Sequence, residues 1–168
     1  MNGDFFALLG AALAIGLPAA GSAIGMGMVQ QTAAGVVSED PKKFGKTLIF
    51  QLIPSSATLY GFVVSFLIMM NTSVMGGEGY LRHDGLLILA ASVPIALVGF
   101  VGTIAQAKVC VSGVRMLAKD ESLVGRAITM SVFVELFILF ALIVSILSFF
   151  GIEANYTYYM ENLANSGV

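Results

Sequence analysis

A single glutamate interrupts the most apolar part of this 168-residue sequence. Glu135 lies within residues 131–151, which read SVFVELFILFALIVSILSFFG and contain no other charged side chain. An ionised carboxylate in the middle of a bilayer costs about 3 kcal/mol on insertion scales, so a glutamate there is a candidate functional residue. Binding a proton or a small cation neutralises the carboxylate. The chemistry that Glu135 offers is therefore reversible binding of H⁺ or a cation.

Two other polar side chains lie at the depth of this glutamate. Glu135 follows Arg126 by nine residues, and Gln106 precedes Arg115 by nine. Ser56 follows the last lysine of the first basic loop by ten residues. At about 1.5 Å per helical residue, all three lie roughly 13–15 Å in from their basic markers, near the middle of a bilayer. One layer thus offers a carboxylate, an amide and a hydroxyl.

Four apolar runs must hold these side chains in place. Each exceeds the roughly 20 residues that a helix needs to cross a bilayer core, and only 11% of the whole sequence is charged. The composition predicts an all-α membrane protein with four transmembrane helices, at about 5–34, 47–70, 85–114 and 127–151. Pro54 lies inside the second of these. Because proline removes one N–H donor, we expect a bend there that turns main-chain carbonyls toward the polar layer.

The second half of the sequence repeats the first. AAGVVSEDPKKFGKTLIF parallels VSGVRMLAKDESLVGRAITM, and each half reads as a small-residue helix, a basic turn and a bulkier helix. This predicts two tandem helical hairpins, at residues 1–78 and 79–152, followed by a short tail at 153–168. With two spans per repeat, both hairpins have the same orientation. Many alternating-access carriers use inverted repeats instead.

The basic residues predict the orientation. Seven of the eight lie near the loop inside each hairpin, and the positive-inside rule places both loops in the cytoplasm. Both termini and the middle loop then face outward, and the tyrosines of the tail suit the outer interface. We expect a multi-pass protein of the cell (inner) membrane, in contact with lipid and not with nucleic acid. The seven residues are Lys42, Lys43, Lys46, Lys108, Arg115, Lys119 and Arg126.

Small residues predict close helix packing. In the first helix, 12 of the 18 residues from 10 to 27 are Gly, Ala or Ser, and the third helix is also rich in them. Small residues let helix backbones approach closely in lipid. Their presence in equivalent positions of both repeats indicates an inner wall of a ring, with the Phe- and Leu-rich second and fourth helices outside.

Three functions other than ion binding in a ring are possible for a chain with these features. A small proton-coupled carrier built from the four helices would use Glu135 as a monomer or dimer. A purely structural bundle would not need Glu135 at all. An enzyme fits least, because the only histidine, His83, lies in an outer loop and the single cysteine, Cys110, has no positioned partner. We therefore predict no catalytic residues and no cofactor.

Three segments, which cover the two bulky helices and the third helix, resemble a known family. FQLIPSSATLYGFVVSFLI, GTIAQAKV and VFVELFILF are similar to the proteolipid (K or c subunit) of V-type ATPases in its bacterial four-helix form. The resemblance extends to about Gly151. It implies a homo-oligomeric rotor ring that carries H⁺ or Na⁺ past a stator membrane subunit. It also implies central-stalk partners and coupling to ATP hydrolysis or synthesis, so the chain itself would be non-catalytic.

The resemblance also implies site residues. Glu135 matches the ion-carrying carboxylate, Gln106 an amide ligand, Ser56 a hydroxyl ligand and the Ile53 carbonyl a main-chain ligand. Tyr60 matches a tyrosine that hydrogen-bonds to the carboxylate.

The repeat partner of Glu135 is Ser55, which implies one ion for every four helices. Where sodium-binding relatives have Gln, this sequence has Ala57. A small cation prefers five or six oxygen ligands, so Ala57 favours H⁺ unless water or Thr58 supplies the missing oxygen. Na⁺ at the same residues stays open, because Gln106 and Ser56 are retained.

Overall fold

The four apolar runs fold as four long helical spans. The computed structural model describes residues 3–77 and 79–166, with side chains through residue 162, so residues 1, 2, 78, 167 and 168 lie outside it. A single 3₁₀ turn, Ile53–Ser55, joins α2 to α3, and together they make the second span. The prediction of an all-α protein with four membrane-spanning helices is confirmed. The helices are α1 (Gly3–Glu39), α2 (Phe44–Leu52), α3 (Ser56–Met70), α4 (Arg82–Lys119) and α5 (Val124–Ser166).

The helices extend beyond the predicted bounds. α1 and α4 each continue about five residues past the predicted ends at 34 and 114, and α5 continues through the predicted tail to Ser166. Helical backbone bonds satisfy N–H and C=O groups inside or outside a bilayer, so a polar helix end has no reason to stop at the hydrocarbon boundary. Hydropathy therefore locates the apolar part of each helix but not its end.

The two small-residue helices, α1 and α4, form the main contact of the structure. A methyl group on Gly99 would lie 2.7 Å from Pro18 Cγ, and one on Gly61 would overlap the Ala14 carbonyl oxygen. Only glycine permits these approaches, because its neighbour occupies the space of a Cβ. α3 packs against α1, and α5 packs against α4. The bulky helices thus lie outside the α1–α4 pair.

Each hairpin turns through the same short motif. An aspartate carboxylate accepts a backbone N–H two residues ahead: Asp40 from Lys42 at 3.1 Å, and Asp120 from Ser122 at 2.8 Å. A 3₁₀ turn follows in both cases, Pro41–Lys43 and Glu121–Leu123. Hydrogen bonds from the Ser122 backbone and hydroxyl lower the pKa of Asp120. The repeat seen in the sequence is therefore also a repeat of local structure.

The two turns are joined to each other. Lys43 Nζ donates to the Ala118 carbonyl at 3.1 Å, near the end of α4, and Lys46 forms an ion pair with Glu121. A lysine at a helix C-terminus satisfies a carbonyl that has no partner within the helix. Both contacts run from the first hairpin to the second.

The opposite end of the bundle is also joined across the hairpins. The Asp4 carboxylate of α1 accepts the Tyr80 N–H at 2.8 Å, and the Tyr80 hydroxyl donates to Glu153 of α5. Burial, followed by the hydrogen bond to Glu153, raises the pKa of Tyr80 well above its ordinary value. The Tyr80 ring also packs edge-on against Tyr156, with ring centroids 6.1 Å apart. The helical tail is thereby attached to the middle loop.

Candidate functional site

The carboxylate of Glu135 is surrounded by hydrogen-bond donors from other helices. Tyr60 Oη lies 2.7 Å from Oε1, while Ser56 Oγ lies 2.9 Å and Gln106 Nε2 lies 2.5 Å from Oε2. α3 supplies the tyrosine and the serine, α4 supplies the amide, and α5 supplies the glutamate. The structure thus brings together four side chains that were separate in the sequence. Their role as ion ligands stays a prediction.

The break in the second span positions the serine. Pro54 has no N–H, and the chain passes through the 3₁₀ turn Ile53–Ser55 before α3 begins at Ser56. Ser56 Oγ lies 3.1 Å from the Ile53 carbonyl oxygen as well as 2.9 Å from Glu135. A hydroxyl has one hydrogen to donate. When Ser56 donates to Ile53, its oxygen can accept a hydrogen bond from Glu135 only if that carboxyl group is protonated.

Gln106 is the most deeply buried member of the site. Its side chain is fully buried, and Nε2 donates to Glu135 and lies 3.4 Å from the Ser131 carbonyl oxygen. The amide oxygen Oε1 is buried and has no hydrogen-bond partner within the described part of the chain. Buried polar atoms normally have partners, so a free carbonyl oxygen beside a carboxylate is a candidate ligand for a cation.

Sequence reasoning missed the supporting role of Ser131. Besides offering its carbonyl to Gln106, Ser131 donates its hydroxyl to the Ala127 carbonyl at 3.1 Å and contacts Cys110 Sγ at 3.5 Å. The signal was its spacing, because Ser131 lies four residues before Glu135 and so shares its helix face. Cys110 is buried in this contact.

Two other residues of the polar layer do not reach the carboxylate. Ser55 donates to the Leu52 carbonyl at 2.6 Å, and Thr58 donates to Ser22 Oγ of α1 at 2.8 Å. Ala57 is fully buried in the core. The suggestion that Thr58 replaces the oxygen missing at Ala57 is therefore wrong, because the hydroxyl faces another helix.

The arrangement suits a monovalent ion or a proton. Among the residues that the structure describes, the only ion pair is that of Lys46 and Glu121, so Glu135 has no basic partner there. All three side chains around Glu135 are uncharged. An isolated carboxylate is expensive within a bilayer, and one added positive charge neutralises it. Removing that charge restores the ionised form.

Comparison with known proteins gives matches over most of the chain. The family model for the C subunit of ATP synthase matches twice, at residues 9–68 and 89–148. The V-type sodium ATPase subunit K of Enterococcus hirae is 39% identical over 146 residues, which cover 87% of this chain and 91% of that protein. The A-type ATP synthase subunit K of Methanocaldococcus jannaschii is 34% identical over 144 residues, or 86% of this chain and 61% of that protein.

Proposed function

Because the chain belongs to the family of ATP synthase C subunits, as a two-repeat V-type proteolipid, we propose that it is a rotor-ring subunit that carries H⁺ across the membrane on Glu135. Copies of the chain form the ring. A stator membrane subunit exchanges the ion at Glu135, and central-stalk subunits couple the ring to ATP hydrolysis or synthesis. The chain performs no catalysis itself and uses no cofactor other than the transported ion.

The single observation that supports this proposal is the set of uncharged hydrogen-bond donors around Glu135. Hydroxyl and amide groups from α3 and α4 hold the carboxylate at 2.5–2.9 Å, in the apolar middle of four spans. A protonated or cation-bound carboxylate held in this way is neutral and compatible with passage through lipid. A basic residue on a stator would favour the ionised form and so promote release. The two basic turns face the cytoplasm, and both termini face outward.

Two observations support H⁺ as the ion. The hydroxyl of Ser56 can accept a hydrogen bond from a protonated Glu135 while it donates to the Ile53 carbonyl. Ala57 offers no side-chain oxygen, and Thr58 is engaged by Ser22. A proton needs only the carboxylate and an acceptor, whereas a small metal cation needs several more oxygens.

Na⁺ is the second candidate, favoured by the buried amide oxygen of Gln106. Oε1 has no partner among the described residues, and rotation of the Ser56 hydroxyl would turn a lone pair toward the same space. The relative from Enterococcus hirae is a subunit of a sodium ATPase. Glu135, Gln106, Ser56 and the Ile53 carbonyl would then be the ligands, and Tyr60 would hold the free carboxylate oxygen.

The deciding experiment is modification of Glu135 by a hydrophobic carbodiimide, which attacks protonated carboxyl groups. Labelling is measured across pH in the detergent-solubilised oligomer, with Na⁺ or with an equal concentration of choline as control. Labelling that falls with rising pH and ignores Na⁺ supports proton transport. Protection by millimolar Na⁺ at fixed pH supports the sodium alternative.

A second experiment separates the rotor from a small proton-coupled carrier and from a structural bundle. We expect the purified chain to migrate as a particle of many copies, whereas a monomer or dimer would contradict the rotor. Glu135→Gln should abolish ion coupling and carbodiimide labelling while the oligomer stays assembled. Disassembly of this variant would assign Glu135 a structural role instead.

A further inference from the structure

A cavity of about 580 Å³ lies between the tail of α5 and the middle loop, at the end of the bundle opposite the two basic turns. Sites for small molecules in proteins have volumes of about 300–1,000 Å³, so this cavity is large enough to hold one. Tyr80 forms part of its wall on the side of the loop. The lining residues on the side of α5 are Glu153, Tyr156, Thr157, Met160 and Glu161.

One face of the α5 tail forms this wall of the cavity. At about 100° per residue, the five lining residues occupy an arc of about 140° on the helix. Glu153 and Glu161 lie eight residues apart, so their Cα atoms are separated by about 12 Å along the helix axis. Tyr158 and Tyr159 lie outside the arc and are 63% and 61% exposed. Helical spacing therefore places a carboxylate near each end of the cavity, with an aromatic ring between them.

The charge of the cavity is negative and unbalanced. No basic side chain lines it in the described part of the chain, and the only ion pair among the described residues is that of Lys46 with Glu121. The Tyr80 hydroxyl donates to one oxygen of Glu153. A carboxylate has about four acceptor sites, so Glu153 can accept further hydrogen bonds from a bound cation. The cavity therefore favours a positively charged ligand.

The aromatic rings favour an organic cation over a metal ion. Tyr80 and Tyr156 both line the cavity, and their rings pack edge-on with centroids 6.1 Å apart. The face of a tyrosine ring attracts an ammonium group. The described residues contain no group of three or more acidic, histidine or cysteine side chains that could hold a metal ion. A small metal cation would also need more oxygen ligands than one carboxylate at each end of the cavity supplies.

We infer that this cavity binds an alkylammonium ligand. One ammonium group donates hydrogen bonds to Glu153 beside the tyrosine rings, and a second ammonium group, where the ligand has one, pairs with Glu161. An extended linear triamine is long enough to reach both carboxylates, whereas the ammonium group of a lipid headgroup would occupy the Glu153 end alone. The inference is independent of the ion at Glu135. Every lining residue lies outside residues 9–68 and 89–148, the two segments that match the family model.

Calorimetric titration of the purified chain in a nonionic detergent tests this site, with spermidine as the probe. A background of about 0.1 M salt screens attraction between exposed charges more than about 10 Å apart. We expect saturable binding that Glu161→Gln weakens roughly fivefold, the upper end for an exposed ion pair. The matched control is Asp84→Asn, which removes an acidic side chain in the first turn of α4, outside the cavity, and should leave the affinity unchanged.

A second pair of variants tests the aromatic wall. Tyr156→Leu removes the ring from the cavity and should weaken spermidine binding about threefold, as expected for a cation–π contact at an exposed site. Tyr159→Leu makes the same change outside the arc and should have no effect. Glu153→Gln keeps an acceptor for the Tyr80 hydroxyl but removes the charge, so it should weaken binding at least as much as Glu161→Gln.

A second probe, glycerophosphoethanolamine, distinguishes the two sources of an ammonium group. Binding of spermidine alone, with the expected losses in the variants, supports the inference and assigns a free polyamine. Binding of both probes, each weakened by Glu153→Gln, supports it and assigns a site that a lipid headgroup can also enter. Absence of saturable binding by either probe overturns the inference. Equal losses in Glu161→Gln and Asp84→Asn would indicate only diffuse attraction to an acidic surface and would also overturn it.

Discussion

The hydrogen bond from Tyr60 to Glu135 should limit access of reagents to the carboxylate and, in the proposed rotor, access of the stator. We predict that Tyr60→Phe increases the rate at which a hydrophobic carbodiimide modifies Glu135. The substitution removes the donor that lies 2.7 Å from Oε1, while Ser56 and Gln106 keep their contacts with Oε2. The ring of Tyr60 packs against the core around α3, and phenylalanine preserves that packing.

The expected magnitude follows from the environment of the pair. A hydrogen bond to a charged group contributes about 1.5–3 kcal/mol. Tyr60 and Glu135 are both only partly buried, so the lower end, about 1.5 kcal/mol, is appropriate. A change of this size corresponds to roughly a tenfold larger fraction of open carboxylate.

The assay compares initial labelling rates at one pH, read by mass spectrometry of the peptide that contains Glu135. Tyr159→Phe is the matched control, because Tyr159 is 61% exposed on the tail of α5. An oligomer of unchanged mass is required, so that increased labelling does not reflect disassembly. A Tyr60→Phe rate equal to that of the parent would refute the assignment of Tyr60 as the group that closes the site.

Three further predictions concern the helices and their ends. Gly61→Ala should destabilise the chain by about 1–3 kcal/mol, because the added methyl group overlaps the backbone of α1; thermal unfolding in detergent measures this, with Gly151→Ala as the uncrowded control. Asp120→Asn should remove part of the stability loss that occurs in the same assay as pH falls below the unfolded pKa of aspartate, about 3.9. The lowered pKa of Asp120 means that its contribution is present above the unfolded pKa and is lost as pH falls through the folded pKa. Tyr80→Phe should release Glu153 and increase amide hydrogen exchange in the tail of α5 several-fold.

Each of these predictions has an outcome that contradicts it. Equal melting temperatures of Gly61→Ala and Gly151→Ala would show that an added methyl group at residue 61 does not destabilise the contact of α1 with α3. An acid profile of Asp120→Asn identical to that of the parent would remove the proposed role of the turn. Unchanged exchange in the tail of Tyr80→Phe would mean that the contact with Tyr156 suffices to hold it.

The contact of Glu135 with Gln106 and Ser56 could be predicted, because the number of residues along a helix determines how deep a residue lies in the bilayer. Each residue lies a similar number of positions from a basic marker, and a rise of about 1.5 Å per residue turns that number into a distance. The depth of a residue does not determine, however, in which direction its side chain points around the helix axis. Thr58 lies at nearly the same depth and faces Ser22 instead, because its direction depends on how the 3₁₀ turn around Pro54 rotates α3.

The tail of α5 shows a second limit of sequence reasoning. Polar residues beyond Gly151 indicated a segment separate from the fourth span, but the helix continues to Ser166. Its direction is fixed by long-range contacts, chiefly that of Tyr80 with Glu153, which are 73 positions apart. Local pattern carries no information about such a pair. The spacing of Ser131 places it on the helix face of Glu135, but it does not show that the Ser131 carbonyl accepts from Gln106, which is 25 positions away.

The contacts that join the hairpins at both ends have a mechanical consequence. Lys43 and Lys46 tie the hairpins at one end of the bundle, and Tyr80 ties Asp4 to Glu153 at the other. Glu135 lies between these two attachments. A lateral force on its side chain is therefore resisted at both ends of α5. The load passes to both hairpins instead of bending one helix. In the proposed rotor ring, a chain of this stiffness would transmit a force on the carboxylate as displacement of the whole subunit, with little elastic deformation.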